Sequence, residues 1–436
     1  MNFKRLKGTA DVLPADSYKW QHVEKTLLET AALYGFSEIR FPVFEDSRLF
    51  QRSVGDTTDI VQKEMYRFTT KGGDDITLRP EGTAGAARAF LENGLHNESM
   101  PVKTCYLVSC YRYEKPQAGR LREFHQFGAE MYGAASFLAD VEVIALANAL
   151  LRSVGVTQLS LHINSIGCPA CRGQYQQKLR EYFEEKKGEL CATCLDRLER
   201  NPMRILDCKS PVCSEIAKGA PKVLDYLCSE CRGHFEGVKE GLSSLGIPYT
   251  VNPDIVRGLD YYTRTVFEFT TDTIGAQGTV CGGGRYDGLV EELSGPHTPA
   301  LGFAMGLERL LMVMEAAGVP FPPKKTCEIY IASMGEAAAK QAAKLCEKLR
   351  AEGFAAECDT MGRSLKAQMK YADRIGARRS LVLGENELQS GMAVLKNMET
   401  GDRREIGWSR LTEEIYEETI RSALGELTES VEQLES

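Results

Sequence analysis

The feature that most constrains the fold is a pair of strand-like segments joined by a short polar loop. Residues 103–115 read KTCYLVSCYRYEK, the loop at 117–123 reads QAGRLRE, and residues 124–133 read FHQFGAEMYG. Aromatic and β-branched residues favour strands, whereas a polar loop with Pro and Gly favours a chain reversal. Strands so close in the chain pair antiparallel, so we predict a long antiparallel hairpin with charged residues at its base and tip.

The segments before and after this hairpin mix helices with strands. WQHVEKTLLETAALYGF predicts an amphipathic helix that ends at Gly35, and SEIRFPVFE predicts a strand that Pro42 interrupts, which suits an edge or an interface. ITLRPEGTAGAARAFLENG predicts a strand, a turn and a helix. Strands return after residue 250 in RGLDYYTRTVFEF and TVCGGGRYDGLV, and LGFAMGLERLLMVMEAAG predicts a strand-to-helix junction. The pattern indicates an α+β domain.

A chain of 436 residues is expected to hold two or three domains. A helix-rich, cysteine-rich segment separates the two strand-bearing parts and is interpreted as an insertion. After the linker-like FPPKK, the strands CEIYIAS, FAAECD and SLVLG alternate with two helices, which predicts a small α/β domain. The predicted parts are 1–167 and 249–322 for the strand-bearing domain, 168–248 for the insertion, and 326–436 for the C-terminal domain.

The sequence shows neither a secretory signal nor a membrane-spanning run. The N-terminal MNFKRLKGTADVLP has basic residues without an apolar core behind them, and charges interrupt LGFAMGLERLLMVMEAAGV. Fourteen cysteines in such a chain are expected to be reduced thiols or metal ligands rather than disulfides. We therefore expect a cytoplasmic protein with no membrane partner.

Charge is distributed unevenly along the chain. The net charge is −8, and residues 411–436 hold eight acids against one arginine, whereas residues 361–379 hold six bases against one acid. Four of these bases recur every four residues and would share one side of a helix: Lys366, Lys370, Arg374 and Arg378. Such a stripe suits a phosphate-facing surface, and a solvated helix face is the alternative interpretation.

Alternation along the hairpin places polar residues where a core would need apolar ones. The residues expected on one face are Phe124, Gln126, Gly128 and Glu130, with Glu114 facing the same way. The arginines nearby are Arg112, Arg120 and Arg122 around the loop, and Arg309 at the glycine-rich junction. No P-loop lysine motif occurs, so these arginines and an aromatic stack would have to hold any nucleotide. These arginines, together with glycines that allow close backbone approach, predict a polyphosphate-binding site on an antiparallel sheet.

Two adjacent tyrosines, Tyr261 and Tyr262, lie where the strand in RGLDYYTRTVFEF is expected to begin. Adjacent strand residues face opposite sides of a sheet, so the two rings are not expected to fill one core. Arg257 precedes them, where a core residue would be expected. The stretch therefore predicts a binding element, and a plain turn followed by a strand is the alternative.

Several motifs in order resemble those of a known family. YRYE…GRLREFHQ resembles the second motif of class II aminoacyl-tRNA synthetases, GFAMGLERL resembles the third, and the segment around Pro42 resembles the first, dimer-forming one. LRPEGTAG and RGLDYYTRTVFEF are similar to stretches specific to the histidyl-tRNA synthetases of bacterial type. Class I adenylation motifs do not occur. The resemblance implies an antiparallel catalytic sheet with a helical insertion, a C-terminal anticodon-binding α/β domain, a homodimer, and L-histidine, ATP with Mg²⁺, and tRNA(His) as substrates.

The resemblance also implies roles for individual residues. The implied histidine-binding residues are Glu81, Gly82, Thr83, Arg112, Gln126, Glu130, Arg257, Tyr261 and Tyr262. The implied ATP-binding residues are Arg112, Glu114, Arg120, Phe124 and Arg309, of which Phe124 and Arg309 would sandwich the adenine and Arg120 would hold the γ-phosphate. The two residues expected to stabilise charge during catalysis are Arg112 and Arg257.

Cysteine placement departs from the plainest pattern of this family. Eight of the fourteen cysteines lie in the predicted insertion, within CPAC, CATC, CKSPVC and CSEC: Cys168, Cys171, Cys191, Cys194, Cys208, Cys213, Cys228 and Cys231. Paired cysteines at this spacing are typical of structural zinc sites, so the pattern predicts about one Zn²⁺ per chain. Unligated thiols are the alternative, because members of the family without these cysteines also fold.

Two other functions are compatible with such a fold. One is a synthetase-like regulatory subunit of ATP phosphoribosyltransferase that charges no tRNA, and the other is an inactive nucleic-acid-binding module. Both are disfavoured because Arg112, Glu130, Arg257 and the tyrosine pair are present together with a C-terminal domain. The sequence therefore favours an ATP-dependent histidine–tRNA ligase over either.

Overall fold

The computed structural model describes residues 3–55, 58–206, 208, 210–255, 259–273, 278–324, 326–417 and 420. The chain forms two compact units, Met1–Pro322 and Pro323–Ser436. The predicted linker FPPKK contains this division. Within the described residues, no helix is both long enough and apolar enough to cross a membrane.

The first unit contains eleven of the described strands and ten of the described α-helices. The strands are β1 Ser37–Glu38, β2 Phe44–Asp46, β3 Arg67–Thr69, β4 Asp75–Leu78, β5 Val102–Tyr111, β6 Glu123–Tyr132, β7 Ser160–Ser165, β8 Thr250–Val251, β9 Thr263–Thr270, β10 Thr279–Arg285 and β11 Ala300–Gly306. The helices are α1 Ser17–Leu33, α2 Ser47–Val54, α3 Thr83–Glu92, α4 Phe137–Ser153, α5 Pro169–Glu184, α6 Ala192–Arg200, α7 Pro211–Lys218, α8 Ser229–Ser244, α9 Leu289–Glu292 and α10 Leu307–Ala316. Single turns of 3₁₀- or π-helix occur at Ile60–Glu64, Leu95–Asn97, Lys187–Glu189, Pro202–Ile205 and Val223–Tyr226.

An eight-stranded sheet in the order β1-β5-β6-β11-β10-β9-β7-β8 organises this unit. The predicted hairpin is confirmed as β5 and β6, which pair antiparallel from Val102 opposite Tyr132 to Tyr111 opposite Glu123. All of the inner pairings are antiparallel, and only the two outermost pairs, β1 with β5 and β7 with β8, are parallel. The predicted class II type of sheet is therefore present.

The two faces of this sheet differ in composition. One face is buried by α1, α4, α8 and α10, and its core side chains include Phe127, Met131, Phe267, Phe303 and Met305. On the opposite face the register sets small residues side by side, since Gly128 pairs with Ala304 and Ala304 with Gly282. Small residues leave room above a sheet, so this glycine-rich face can receive a ligand.

The strand that Pro42 interrupts divides between two sheets. Before the proline, β1 pairs with β5 in the large sheet, and after it β2 pairs with β4 in a three-stranded sheet ordered β2-β4-β3. Proline has no N–H to donate, so a break in the ladder at this position follows from its chemistry. The helix predicted to end at Gly35 is α1, and Gly35 has a φ of 78°, which favours glycine.

The second unit is an α/β domain, as predicted. Its strands are β12 Ile329–Ser333, β13 Ala356–Cys358, β14 Arg379–Leu383, β15 Met392–Asn397 and β16 Arg403–Gly407, and its helices are α11 Glu336–Ala351, α12 Leu365–Arg374 and α13 Glu385–Ser390, with a 3₁₀ turn at Trp408–Arg410. The sheet order is β13-β12-β14-β15-β16. The first three strands are parallel and the last two antiparallel, a hairpin that the sequence analysis missed.

The basic stripe is shorter than predicted. Helix α12 ends at Arg374, so Arg378 lies beyond it, where its guanidinium pairs with Glu328 at 3.1 Å. Gly376 ends the helical segment with a φ of 67°, a conformation that favours glycine. The exposed bases that α12 itself carries are Lys366, Lys370 and Arg374.

Candidate functional site

A cleft of about 420 Å³ lies on the glycine-rich face of the large sheet. Its lining includes the predicted nucleotide residues Arg112, Glu114, Arg120, Phe124 and Arg309, the predicted histidine residue Gln126, and also Glu64, Glu268, Thr279 and Gly306. Two larger clefts, of about 680 and 740 Å³, lie elsewhere in the same unit. Neither of these two clefts is lined by a predicted site residue, so the smaller cleft is the candidate nucleotide site.

Arg112 is held at the end of the hairpin by two contacts. Its Nε donates a hydrogen bond to the Pro80 carbonyl at 2.8 Å, and its guanidinium carbon lies 5.2 Å from the centre of the Phe124 ring. A guanidinium held in this way keeps its other N–H groups for a ligand at little entropic cost. Arg112 is thus positioned as a fixed cation at the wall of the cleft.

The loop that joins β5 to β6 places two further charges in the cleft. Arg120 pairs with Glu114 at 3.6 Å. The prediction that Glu114 continues the alternation of the strand is wrong, because β5 ends at Tyr111 and Glu114 lies in the loop. Both residues line the cleft: Arg120 lies in the loop as predicted, and the loop rather than the strand brings Glu114 there.

Arg309 lies in the first turn of α10, where the predicted strand-to-helix junction is confirmed. Its Nη1 donates to the Thr279 carbonyl at 2.6 Å. Nearby, Glu308 accepts from the His125 backbone N–H, at 3.0 Å to one oxygen, and contacts His125 Nδ1 at 2.8 Å. That hydrogen bond raises the pKa of His125. This contact between α10 and β6, which the sequence analysis missed, fixes Arg309 beside the hairpin.

Glu130 is a fully buried carboxyl further along the same face of β6. The Tyr106 hydroxyl donates to its Oε1 at 2.8 Å, and the Tyr286 hydroxyl donates to its Oε2. Burial raises the pKa of Glu130 to about 8, and the two hydroxyls act in the opposite direction because they stabilise the carboxylate. A carboxyl in this state can accept a hydrogen bond or, when protonated, donate one.

Glycines make room for this group of polar side chains. A Cβ at Gly82 or Gly128 would overlap the Tyr106 ring, and one at Gly302 would overlap the Glu130 carboxyl. The predicted residue Gly82 therefore has a packing role that the structure accounts for directly, since the Tyr106 phenol occupies the space beside it.

Glu81 and Thr83 lie at the start of α3, next to Glu130. The Glu81 carboxylate accepts from the backbone N–H groups of Thr83 and Ala84, each at 2.8 Å, and burial raises its pKa. Hydrogen bonding from the Thr83 side chain acts against the effect of burial and lowers the pKa of Glu130. These backbone bonds use one acceptor position on each Glu81 oxygen and leave others for a ligand.

Tyr261 and Tyr262 correct an expectation from the sequence. Both are buried in one core cluster, with ring centres 4.7 Å apart, and Tyr261 also packs at 5.4 Å from Tyr286. Strand β9 begins only at Thr263, so the pair precedes the strand and alternation does not separate the two rings. The pair thus joins the aromatic wall around Glu130.

The structure brings together most of the predicted site, in two parts of one sheet face. Arg257 lies outside the described residues. Tyr106 and Tyr286 were not among the predicted site residues, although Tyr106 shares a face with Gly128 across the hairpin and alternation could have indicated it. Tyr286 follows a glycine-rich strand that comes far later in the chain, and only the tertiary structure brings it to Glu130.

The eight cysteines of the predicted insertion form two groups. Cys168, Cys171, Cys228 and Cys231 make the first group, and Cys191, Cys194, Cys208 and Cys213 make the second. Within each group all Sγ atoms lie within 4.8 Å of one another. None of these eight cysteines forms a disulfide, and the Sγ–Sγ distances are 3.6 Å between Cys168 and Cys171 and 3.9 Å between Cys191 and Cys208.

Comparisons with known proteins agree with this geometry. A histidyl-tRNA synthetase family model matches residues 8–310, and an anticodon-binding domain model matches residues 328–418. The chain is 56% identical over 405 residues to the histidine–tRNA ligase of Acetivibrio thermocellus, covering 93% of this chain and 97% of that one. It is 52% identical over 413 residues to the histidine–tRNA ligase of Clostridium novyi, covering 95% and 98%.

A crystal structure of apo S. aureus histidyl-tRNA synthetase superposes with a TM-score of 0.82 at 39% identity, covering 95% of this chain and all of that one. The two family matches and the full-length relatives identify one family, and the antiparallel sheet with its arginine-lined cleft is consistent with it. The chain belongs to the histidyl-tRNA synthetase family, with a class II catalytic domain followed by an anticodon-binding domain.

Proposed function

We propose that this chain is a histidine–tRNA ligase, which activates L-histidine with ATP and transfers it to tRNA(His). The observation that carries the proposal is a buried carboxyl, Glu130, on the same sheet face as a cleft lined by Arg112, Arg120 and Arg309. Such a pair of neighbouring sites suits a small polar amino acid beside a polyphosphate.

The pocket around Glu130 suits an imidazole. An imidazole offers one N–H donor and one acceptor nitrogen, so a selective pocket needs a carboxylate on one side and a hydroxyl on the other. Glu130 would accept the N–H, and Tyr261 or Tyr262 would donate to the second nitrogen. The α-ammonium needs acceptors, which Glu81, Thr83 and Gln126 supply. A side chain of similar shape without these groups would leave buried polar atoms unpaired, which explains selectivity.

Activation needs fixed cations more than a general base. A histidine carboxylate oxygen would attack the α-phosphorus of ATP, forming the adenylate while the bond to the leaving pyrophosphate breaks. Arg112 and Arg257 would stabilise the charge that grows on the phosphoryl oxygens. Phe124 and Arg309 would hold the adenine, and Arg120 the γ-phosphate. The terminal ribose hydroxyl of the tRNA would then attack the adenylate carbonyl and release AMP.

Two metals are proposed for this chain, magnesium with the ATP and structural zinc in the insertion. Carboxylates are the protein ligands that Mg²⁺ prefers, and three of them line the cleft: Glu64, Glu114 and Glu268. They would hold Mg²⁺ with the ATP phosphates, where it neutralises phosphate charge. The cysteines of the insertion would hold structural zinc, because thiolates are its preferred ligands.

The proposal extends to assembly and location. The segment around Pro42 resembles the dimer-forming motif, and Phe44 just after it is an exposed aromatic side chain. An exposed aromatic residue is typical of a protein–protein interface, so we propose a homodimer that acts in the cytoplasm. Sedimentation of the purified protein at twice the monomer mass is the expected result.

Histidine-dependent exchange between ATP and pyrophosphate tests the activity directly. We expect exchange with L-histidine and none with other amino acids. Arg257→Ala should reduce the rate about 100-fold, on the order of 3 kcal/mol, because a preorganised cation is lost. Arg403→Ala removes an exposed arginine in β16 and is the matched control. Wild-type protein without exchange would contradict the ligase and favour the regulatory subunit, and near-normal exchange in Arg257→Ala would remove that role from Arg257.

A further inference from the structure

The two cysteine groups have the geometry of two separate metal sites. Four thiolates around one zinc, with Zn–S bonds of about 2.3 Å, lie roughly 3.8 Å apart at the corners of a tetrahedron. The Sγ–Sγ distances of 3.6 Å in the first group and 3.9 Å in the second are close to this value. Each group supplies four sulfurs, which completes a structural site, so the eight cysteines suit two zinc ions where the sequence predicted about one.

The local backbone favours thiolates in both groups. Cys168, Cys191 and Cys228 are the N-caps of α5, α6 and α8, where helix N-termini stabilise negative charge. Backbone N–H groups also donate to sulfur, from Cys228 to Cys171 Sγ at 3.1 Å and from Cys191 to Cys213 Sγ at 3.2 Å. Hydrogen bonds of this kind orient and stabilise the ligands of a metal.

The first group borders one end of the stretch that carries the tyrosine pair. Arg172, next to Cys171 on α5, donates to the Tyr262 carbonyl at 2.8 Å. Glu230, next to Cys231 on α8, pairs with Arg264 at 2.5 Å. The backbone N–H of Arg264 also donates a hydrogen bond, to the carbonyl of Gly167, the residue before Cys168, at 2.9 Å.

The second group borders the other end of this stretch. Arg204 lies in the 3₁₀ turn between α6 and Cys208, is almost fully buried, and pairs with Asp260 at 2.8 Å. Asn201 Nδ2 also donates to Asp260, at 3.2 Å. Asp260 directly precedes Tyr261, so a change in the position of this turn would move the Tyr261 ring, which packs beside Glu130.

We propose that the chain binds two structural zinc ions, one in each cysteine group, and that together they hold residues 259–264 in place. Arg172 acts from the first site and Arg204 from the second. The part that concerns histidine rests on the proposed ligase function, whereas the two metal sites do not depend on it. The insertion thereby becomes a positioning element for the histidine pocket.

Metal content tests the two sites without any substrate. Full-length protein, prepared under reducing conditions with zinc available, should contain about two zinc ions per chain by elemental analysis. Cys228→Ser and Cys208→Ser should each lower the content to about one, and the double variant to about none. Cys358→Ser, which removes a partly buried thiol of β13 outside both groups, should keep two. X-ray absorption of the wild-type protein should show four sulfur ligands per zinc, a measurement that needs no variant to fold.

Other metal contents would overturn the assignment. One zinc per chain would mean that only one of the two groups binds metal. Iron found in place of zinc would change the metal assigned to the sites. Metal-free protein with full helical content would mean that the cysteines are unligated thiols. Two zinc ions without histidine-dependent exchange would overturn the ligase and support the metal sites.

Kinetics test the positioning role. Cys208→Ser and Arg204→Ala should each raise the KM for histidine at least tenfold in pyrophosphate exchange, with the KM for ATP unchanged. Because both act through Asp260, the double variant should be no worse than the poorer single one. Arg204→Lys should recover part of the loss, since it keeps a charge near Asp260. Independent effects that multiply, or equal losses for histidine and ATP, would overturn the role of Arg204.

Discussion

At the scale of single residues, burial decides what Glu130 can do. An exposed glutamate is ionised at neutral pH, but desolvation raises the pKa of Glu130 to about 8 although two tyrosine hydroxyls favour the ionised form. Burial therefore favours the protonated form of this carboxyl in the unliganded protein. A ligand N–H that pairs with it would favour the carboxylate and release a proton.

The raised pKa of Glu130 predicts a pH-dependent stability. In the unfolded chain this carboxyl has its ordinary pKa. At pH values below that pKa it is protonated in both the folded and the unfolded state, and its contribution to stability is fully present. Between that value and about 8 the unfolded state ionises first, and this stabilisation is lost as pH rises. Glu130→Gln cannot ionise, so its Tm relative to wild type should be higher at pH 8.5 than at pH 5.5.

Glu185→Gln, which changes an exposed carboxyl of the insertion, is the control and should shift Tm equally at both pH values. Parallel Tm profiles for wild type and Glu130→Gln would contradict the raised pKa.

At the scale of elements, the large sheet separates packing from binding by its two faces. The apolar side chains of β6, β9 and β11 lie on a face that helices cover, while on the opposite face glycines and alanines pair across β6, β11 and β10. A side chain added on that face meets the polar group around Glu130 rather than solvent. The register of the sheet thus creates the pocket as much as the polar residues do.

Gly302→Ala tests this use of small residues. The added Cβ would overlap the Glu130 carboxyl and approach the Ala129 carbonyl, so we expect a loss of about 1–3 kcal/mol in unfolding free energy and at least a tenfold rise in the KM for histidine. Gly288→Ala adds the same methyl where no atom lies within 4 Å, so its stability should change by less than about 0.5 kcal/mol. Denaturant unfolding measures both, and equal stabilities would contradict the packing role of Gly302.

At the scale of the whole molecule, the two units divide the proposed work. The described site residues all lie before Pro322, whereas the C-terminal unit carries the bases of α12. That unit has two helix-covered faces: α12 packs against Tyr330 and Ala332 of β12, and α11 packs against Ile329 and Ile331. Unpaired anticodon bases can be recognised by edge and stacking contacts on either face.

Truncation before Cys327 tests the division of labour. Because the first unit has its own core, some histidine-dependent pyrophosphate exchange should remain while charging of tRNA(His) falls sharply. Charging assays at matched enzyme concentration measure the difference. Unchanged charging by the truncated chain would contradict an anticodon-binding role for the C-terminal unit.

The basic stripe predicts a salt dependence of tRNA binding. Phosphate contacts release counterions, so replacing Lys366, Lys370 and Arg374 with alanine should weaken binding and lower the salt slope by about two. The matched control replaces Lys340, Lys344 and Lys348 of α11, which recur at the same spacing on the opposite face of the sheet. Loss of slope only in the control variant would assign the tRNA to the α11 face, and no loss in either would leave both stripes as solvated surfaces.

The sequence by itself determined the family, the hairpin, the order of the main helices and strands, and the arginines of the cleft. These follow from local patterns, since alternation, turn residues and motif spacing are visible within short segments. Only the tertiary structure decided which distant residues meet. It paired Tyr286 with Glu130 across 156 positions, buried both tyrosines ahead of β9, and sorted eight cysteines into two groups. Contacts of this kind depend on strand order and helix packing, which no local pattern encodes.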